Sequence, residues 1–223
     1  MHWKQHRETN MLVDSMVSVI IRNRNEQEYI GFAIQSVLDH IPNSQIIIAD
    51  NASNDASIDI VKLFDADISI INIDNYTPGI AINSAIELCK YDTILILSAH
   101  AQLVKYDSTL VKTLLQNNAA VFGKQTPIYK GKKITRTDIW THFIDTECVN
   151  MFSKIEDRPF LHNAFCFYNK QDLLNTPIDE TLPGKEDRYW AFDILGKQQQ
   201  YMYTPQLEVN HFYTNNGATW KII

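Results

Sequence analysis

A chain of 223 residues, 45% apolar and 21% charged, is sized and balanced for one large domain, or one domain with a small subdomain, around a sizeable core. Its net charge of −6 speaks against non-specific nucleic-acid binding, which rests on neutralising phosphates, and leaves only a local basic patch open. No run approaches the roughly 18–20 apolar residues of a membrane span, and three cysteines without C-x-x-C spacing read as free thiols of a reducing compartment, with Cys89 and Cys166 buried in apolar runs.

Residues 1–15 read as an extension ahead of a single domain over 16–223. The chain opens on polar residues without the apolar core of a signal peptide, so the expected location is the cytoplasm, with the inner face of a membrane within reach of an exposed surface. From residue 17 a β-branched run predicts a strand over 17–21, ending in Arg22, Asn23, Arg24, Asn25 and Glu26. Ile30, Ile34, Val37, Leu38 and Ile41 recur at helical spacing and predict a helix over 28–40. A second strand over 45–49 ends in Asp50 and Asn51, and Asp55 suits the N-cap of a helix near 57–64. A strand over 68–73 leads to a helix over 80–90, whose buried stripe is Ile82, Ala85, Ile86 and Cys89. Residues 93–97 are fully apolar, as the middle of a sheet covered on both faces requires. This alternation predicts an α/β fold with a mostly parallel sheet and helices on both sides. Ligands of such sheets bind beyond the carboxyl ends of the strands, which is where the short polar residues cluster.

After residue 104 the rhythm changes. A helix near 108–116 and a short strand over 119–123 precede a loop-rich region over 124–160 carrying Lys130, Lys132, Lys133 and Arg136. A strand over 165–168, a short helix over 170–174, a turn over 183–187 and a helix over 188–195 ended by Gly196 follow, with strands near 200–203 and 207–210. The first half, about 16–104, reads as a nucleotide-binding half and the second, about 105–223, as an acceptor half.

Taken in order, these motifs resemble the family 2 glycosyltransferases, whose catalytic domain is the GT-A fold, a Rossmann-like α/β architecture. The likeness runs from Val17 to His211. The opening strand with Asn25-Glu26 matches the family's first strand. Asp50-Asn-Ala-Ser53-Asn-Asp55 matches its second-strand motif, Gly79 and Asn83 its Gly…Asn…Ala helix, Glu186-Asp187 its acidic pair and His211 its late histidine. Ser98-Ala99-His100 stands where most members carry Asp-x-Asp. With Phe122-Gly-Lys-Gln-Thr-Pro127 it is similar to a bacterial, rhamnosyltransferase-like branch.

The resemblance implies roles. Arg22, Asn23 and Asn25 would contact base and ribose, and an arginine can also grip phosphate bidentately. Asp50 and Asn51 would read the base edge, with Ser98 and Ala99 beside the nucleotide. His100 and His211 would hold Mn²⁺ or Mg²⁺ on the diphosphate. Imidazole suits Mn²⁺ less well than carboxylate does and Mg²⁺ poorly, so metal independence, with Arg22, Arg24 or Lys185 neutralising the diphosphate, is the other arrangement. Asp187 would be the general base, with Glu186 beside it, and Asn163, Phe165 and Trp190 would shape the acceptor pocket. Each residue also has a plainer reading: Asx turns at Asp50 and Asn51, first-turn acids complementing a helix dipole at Glu186 and Asp187, a core indole at Trp190.

The expected activity is transfer of a sugar from a nucleotide-diphosphate donor to a hydroxyl of a carbohydrate or glycolipid acceptor, with inversion, in surface polysaccharide or glycoconjugate synthesis. Peripheral membrane contact fits such an acceptor, and nothing points to nucleic acid. Two alternatives stand beside it: a nucleotidyltransferase, disfavoured because residues 22–26 contain no glycine, and a non-catalytic module that holds a sugar nucleotide or a partner, favoured by the lost Asp-x-Asp and opposed by Glu186-Asp187.

Overall fold

Residues 17–98 fold as strict alternation dictates: β1 (Val17–Asn23), α1 (Ile30–His40), β2 (Gln45–Asp50), α2 (Ser57–Val61), β3 (Ile68–Asn72), α3 (Pro78–Leu88) and β4 (Thr93–Ser98). The computed structural model describes residues 16–215 and 217, so the expected extension over 1–15 lies outside the described residues. Parallel pairing gives the order β3-β2-β1-β4. Successive side chains of a strand point to opposite faces. Val19, Ile21, Ile46, Ile48, Leu95 and Leu97 therefore meet Ile30, Ile34 and Val37 of α1. Ile20, Ile47, Ile94 and Ile96 meet Ile82, Ala85 and Ile86 of α3 on the other face. Each such side chain removed from water contributes roughly 1.5–3 kcal/mol, which is what fixes the register.

Helix α3 starts two residues before the expected residue 80, because Pro78 fits the first turn and the Thr77 hydroxyl accepts the Ile80 N–H at 3.1 Å. At α2 the Asp55 carboxylate accepts the Ser57 N–H at 2.9 Å, while Ala56 holds the N-cap place.

The second half is built from β5 (Ala101–Lys105), α4 (Ser108–Leu115), β6 (Ala120–Tyr129), β7 (Lys132–Lys133), a 3-10 turn over Asp138–His142, β8 (Cys148–Val149), β9 (Phe152–Ser153), β10 (Arg158–Pro159), β11 (Phe165–Asn169), α5 (Lys170–Asn175), α6 (Glu186–Gly196) and β12 (Tyr201–Phe212). The sheet continues past β4 as β11-β6-β12-β5. Here it is mixed: β11 runs antiparallel to β4 and β6, β6 parallel to β12, and β12 antiparallel to β5.

Three strand boundaries differ from expectation. β6 does not stop at Gly123 but runs on to Tyr129. A Cβ at Gly123 would lie 2.4 Å from the Phe165 ring and 2.8 Å from the Leu207 carbonyl, so this glycine marks a close crossing, not a strand end. The two strands expected near 200–203 and 207–210 are one, β12, with its register broken between Thr204 and Glu208, where Pro205 sits. β5 follows β4 so closely that its five residues carry no separate hydrophobic signal. All three cysteines are free, with Cys89 and Cys166 buried, and burial raises the Cys89 thiol to about 11.

Candidate functional site

The chain leaves β1 toward β2 and returns through α3 to β4 on the other side of β1, so a crevice opens at the carboxyl ends of β1 and β4. A cleft of about 750 Å³ lies there, bounded by Arg22, Asn23, Asn51 and Tyr76 on one wall and by His100, Asn163, Glu186 and Asp187 on the other. A smaller hollow of about 510 Å³, around Asp92, Asn169 and Lys170, lies at the opposite ends of β4 and β11, away from every candidate residue.

The first wall is laced together by short polar side chains. Asp50 is only 2% exposed. Its carboxylate accepts the Ser53 N–H at 2.9 Å, the Ser53 hydroxyl at 2.6 Å and the Asn23 amide at 2.8 Å. Those bonds tie Asp50 to its own turn and to Asn23, whereas Asn51 lines the cleft. Asn25 sits at a positive φ of 53° and accepts the Asn54 N–H at 2.8 Å, which ties the loop after β1 to the loop after β2. Asn23 Oδ1 and Arg22 Nε are buried polar atoms without a partner among the described residues. Each is a hydrogen-bonding position that a ligand could fill.

The second wall carries the ionisable groups. Arg22 reaches across the cleft floor from β1 and donates to Glu186 at 2.8 Å. Burial alone would lower the Arg22 guanidinium, but Glu186, Tyr76 and Asp187 outweigh it and hold it above its ordinary value. Asp187 lies next to Glu186 in the first turn of α6, where the Asn163 N–H meets its Oδ2 at 3.2 Å and the Arg188 N–H its Oδ1 at 2.9 Å. Removal from water raises the Asp187 carboxyl above its ordinary value, against the lowering pull of the Asn163 N–H and of Arg158, Arg22 and Arg188. Those cations are held in turn. Arg158 and Arg188 both bind Glu156, the latter at 3.0 Å.

On the second wall His100 lines the cleft, and His211, only 1% exposed, lies behind it with its ring 4.8 Å away. The His100 Nδ1 faces Glu26 Oε1 at 3.2 Å, and the His211 Nδ1 faces Gln125 Oε1 at 2.8 Å. The other end of the Gln125 amide lies 3.0 Å from His162 Nδ1. Burial, aided by Arg158, lowers His162 to about 3, and burial with His100 and His162 lowers His211 well below its ordinary value.

The sequence from residue 18 to residue 175 matches the Glycosyl transferase family 2 model. The chain belongs to this family of sugar-transferring enzymes. The fold agrees with solved structures. Staphylococcus aureus TarS 1–349 in complex with UDP-GlcNAc superposes with a TM-score of 0.70 at 13% identity, over 92% of this chain and 61% of that one. GalNAc-T7 with UDP, GalNAc and Mn²⁺ gives 0.69 at 15% identity, over 91% of this chain and 44% of that one. The chain thus spans about three fifths of the TarS fragment and less than half of GalNAc-T7. No curated protein sequence matches it.

Against the roles the family resemblance implied, three side chains are misplaced. Trp190 is 2% exposed, donates its indole N–H to the Thr176 carbonyl at 2.7 Å and packs edge-on against Tyr168, so it belongs to the core and not to an acceptor platform. Phe165 is buried between Gly123 and Phe167, and Ala99 is buried in the core beneath α1. At these three positions, in a helix, a strand and a turn, an apolar side chain has apolar neighbours, and packing takes it. Asn163 does border the cleft, but its amide is bound within the protein.

Among the described residues no group of three or more His, Cys, Asp or Glu side chains is gathered as for a metal ion; the two imidazoles, His100 held by Glu26 at Nδ1 and the buried His211, would suit a divalent ion of borderline softness better than Mg²⁺. Several side chains of the site were not foreseen. Glu26 and Gln125 sit inside the motifs that carried the resemblance, so a signal for both existed. Arg158 and Glu156 lie in the region read as loop and His162 just beyond it, and they carry none. Gly79 and Asn83 gain a mechanical reason. A Cβ at Gly79 would lie 2.4 Å from the Asp179 carbonyl, and the Asn83 amide donates to the Ile178 carbonyl at 2.8 Å and accepts its N–H at 3.1 Å. Helix α3 thereby clamps the segment that leads into Glu186 and Asp187.

Proposed function

We propose that this chain transfers a sugar from a nucleotide-diphosphate sugar to a hydroxyl of a carbohydrate or glycolipid acceptor, with inversion, in surface polysaccharide or glycoconjugate synthesis. The observation that carries this reading is Asp187. It is a cleft carboxylate of raised basicity at a helix N-terminus, oriented by two backbone N–H groups and opposite the crevice at the strand ends. As general base it would take the proton of the acceptor hydroxyl while the sugar's anomeric carbon is attacked from the side opposite the leaving diphosphate. Positioned proton transfer of this kind contributes typically about 10²–10⁴-fold. The nucleotide would lie over Asn23, Asn51 and Ser98, with Tyr76 and Arg24 at its border. The two unfilled hydrogen-bonding positions at Arg22 and Asn23 support this placement. His100 and His211 would hold a divalent ion, which supplies charge neutralisation of the departing diphosphate. In the metal-free alternative, Arg24 and Lys185 are the better candidates for that role, because Arg22 is already paired with Glu186.

Ser98-Ala99-His100 with Gln125 supports the rhamnosyltransferase-like branch as the nearer kinship. We place the protein in the cytoplasm, touching the inner face of a membrane where its acceptor is a glycolipid; among the described residues no helix is long and apolar enough to cross one.

The test is a thermal-shift panel of UDP, dTDP, GDP and CMP with Mn²⁺, with Mg²⁺ and with EDTA, run on the protein and on Asp187→Asn. One nucleotide is expected to raise the midpoint of both by a few degrees, since a ligand at about 100 times its Kd stabilises by roughly 2.7 kcal/mol. The variant should lose turnover of the matching sugar nucleotide. Normal turnover by Asp187→Asn would remove Asp187 as the base. No shift with any nucleotide would favour a non-catalytic module that holds a partner.

A further inference from the structure

Asn163 touches both carboxylates of the acidic pair while being 1% exposed. Its backbone N–H donates to Asp187 Oδ2 at 3.2 Å, and its side-chain Nδ2 to Glu186 Oε1 at 3.4 Å. Its Oδ1 accepts the Tyr168 hydroxyl at 2.5 Å. The direction of this chain is forced. A carboxylate only accepts, so the amide must turn its NH₂ to Glu186 and its oxygen to Tyr168, and the phenol must donate. Arg22 closes the far end by donating to Glu186. Tyr168 is buried in the core against Trp190, and removal from water keeps its hydroxyl neutral far above pH 10. It is therefore a fixed donor at every working pH.

We propose that Tyr168 and Asn163 are positioning residues: a buried hydroxyl locks the Asn163 amide, and Asn163 locks the geometry of Glu186 and Asp187. Neither residue touches the substrate. The inference rests on Asp187 being the base, and it assigns Asn163 a different task from acceptor binding. The charged and titratable groups around Asp187 are Arg22 from β1, Arg158 from β10, Glu186 and Arg188 from α6, and Cys166 and Tyr168 from β11. The arginines are cationic throughout, burial raises both the Cys166 thiol and the Tyr168 phenol, and burial lowers His162, which faces Glu186 and the same arginines. A shift of the acid limb would therefore report the acidic pair, Glu186 and Asp187.

The experiment is the pH–rate profile of sugar-nucleotide turnover, using the nucleotide sugar identified by the thermal-shift panel, for Tyr168→Phe, Asn163→Ala and the double variant. Phenylalanine keeps the ring packing on Trp190 and deletes only the donor. Both single variants should lose about tenfold in kcat with KM for the donor unchanged. Both should move the acid limb to higher pH, because a slackened Asn163 N–H no longer favours the Asp187 carboxylate. Because the two act as one chain, the double variant should match Asn163→Ala, not multiply the losses. Unmoved acid limbs, or multiplying effects, overturn the proposal even with Asp187→Asn inactive. A fully active Asp187→Asn overturns the base reading instead, so the two failures are distinct. A fall in melting temperature with the wild-type pH profile would mean that the chain only supports the fold.

Discussion

The two walls of the cleft use polar side chains differently. In the wall formed by residues 22–57, beside the Asn23–Asp50–Ser53 cluster, side chains bind backbone: Ser53 accepts the Asn25 N–H at 2.9 Å, Ser57 the Glu26 N–H at 2.8 Å, Asp55 the Gln27 N–H at 2.9 Å, and Gln27 the Ala56 N–H at 3.0 Å. In the wall formed by residues 125–211, side chains bind side chains: Arg22–Glu186–Asn163–Tyr168, Arg158–Glu156–Arg188 and His162–Gln125–His211. The first arrangement holds two loops at fixed spacing, as the recognition of a rigid planar base needs. The second fixes ionisable groups relative to each other, as proton transfer needs. It also concentrates risk, because each buried charge depends on one partner.

The largest effect should therefore come from breaking a pair in the second wall. Glu186→Ala leaves the Arg22 guanidinium buried and uncompensated, and removal of one partner of a buried pair costs about 3–5 kcal/mol. Urea denaturation should show that loss, and Arg22→Met combined with Glu186→Leu should restore most of it. A single variant within about 1 kcal/mol of the wild type would show that water reaches this pair and that the wall is softer than its geometry.

Next in size is the crossing that shapes the same wall. Gly123→Ala drives a methyl into the Phe165 ring and the Leu207 carbonyl, and overpacking of this kind costs about 1–3 kcal/mol. The melting temperature should fall by several degrees while nucleotide binding, which we propose for the other wall, keeps its affinity. A weakened nucleotide site would mean that the walls are mechanically coupled through β11.

The contrast also explains what the sequence made legible. β1 to β4 were readable because each strand and helix advertises itself by local periodicity, and the parallel order follows from alternation. Asp50, Ser53 and Asp55 were readable as turn residues for the same local reason. Misreading begins where the deciding contact is distant in the chain. Gly123 resembles a strand end until Phe165 lies against it, and Trp190 resembles a platform until Thr176 accepts its indole. Glu186 and Asp187 were expected in a turn just ahead of a helix that in fact begins at Glu186, and Arg22, which holds one of them, lies 164 residues away. His162 and Gln125 meet 37 residues apart, in a pairing that no spacing rule announces.

A smaller, pH-dependent effect separates the walls further. The folded protein holds the Asp187 carboxyl above its ordinary value, first by removal from water. Its proton is thus bound more tightly in the folded than in the unfolded state. The stability this contributes is present at low pH and is lost as pH rises through the raised value. Asp187→Asn has no proton to lose, so its melting temperature relative to wild type should climb between about pH 4 and neutrality, starting near the ordinary aspartate value. A difference that is flat with pH would mean that the three nearby arginines cancel the desolvation entirely.

The smallest effect is expected where the regular half has slack. Gly31 lies in the first turn of α1, and a Cβ there would meet only the Ile60 methyl at 3.4 Å, an ordinary contact at the far end of a side chain. Its φ is not in the left-handed region, so alanine fits the backbone. Alanine in a helix is favoured over glycine by about 0.5–1 kcal/mol, with less to gain in the first turn, where fewer hydrogen bonds depend on the residue. Gly31→Ala should therefore stabilise by a few tenths of a kcal/mol, read as a rise of a degree or two in melting temperature. The same substitution at Gly123 is expected to do the opposite by several-fold. If Gly31→Ala instead destabilises, then the contact between α1 and α2 is as tight as the crossing of β6 over Phe165, and tight packing is not confined to the wall that carries the acidic pair.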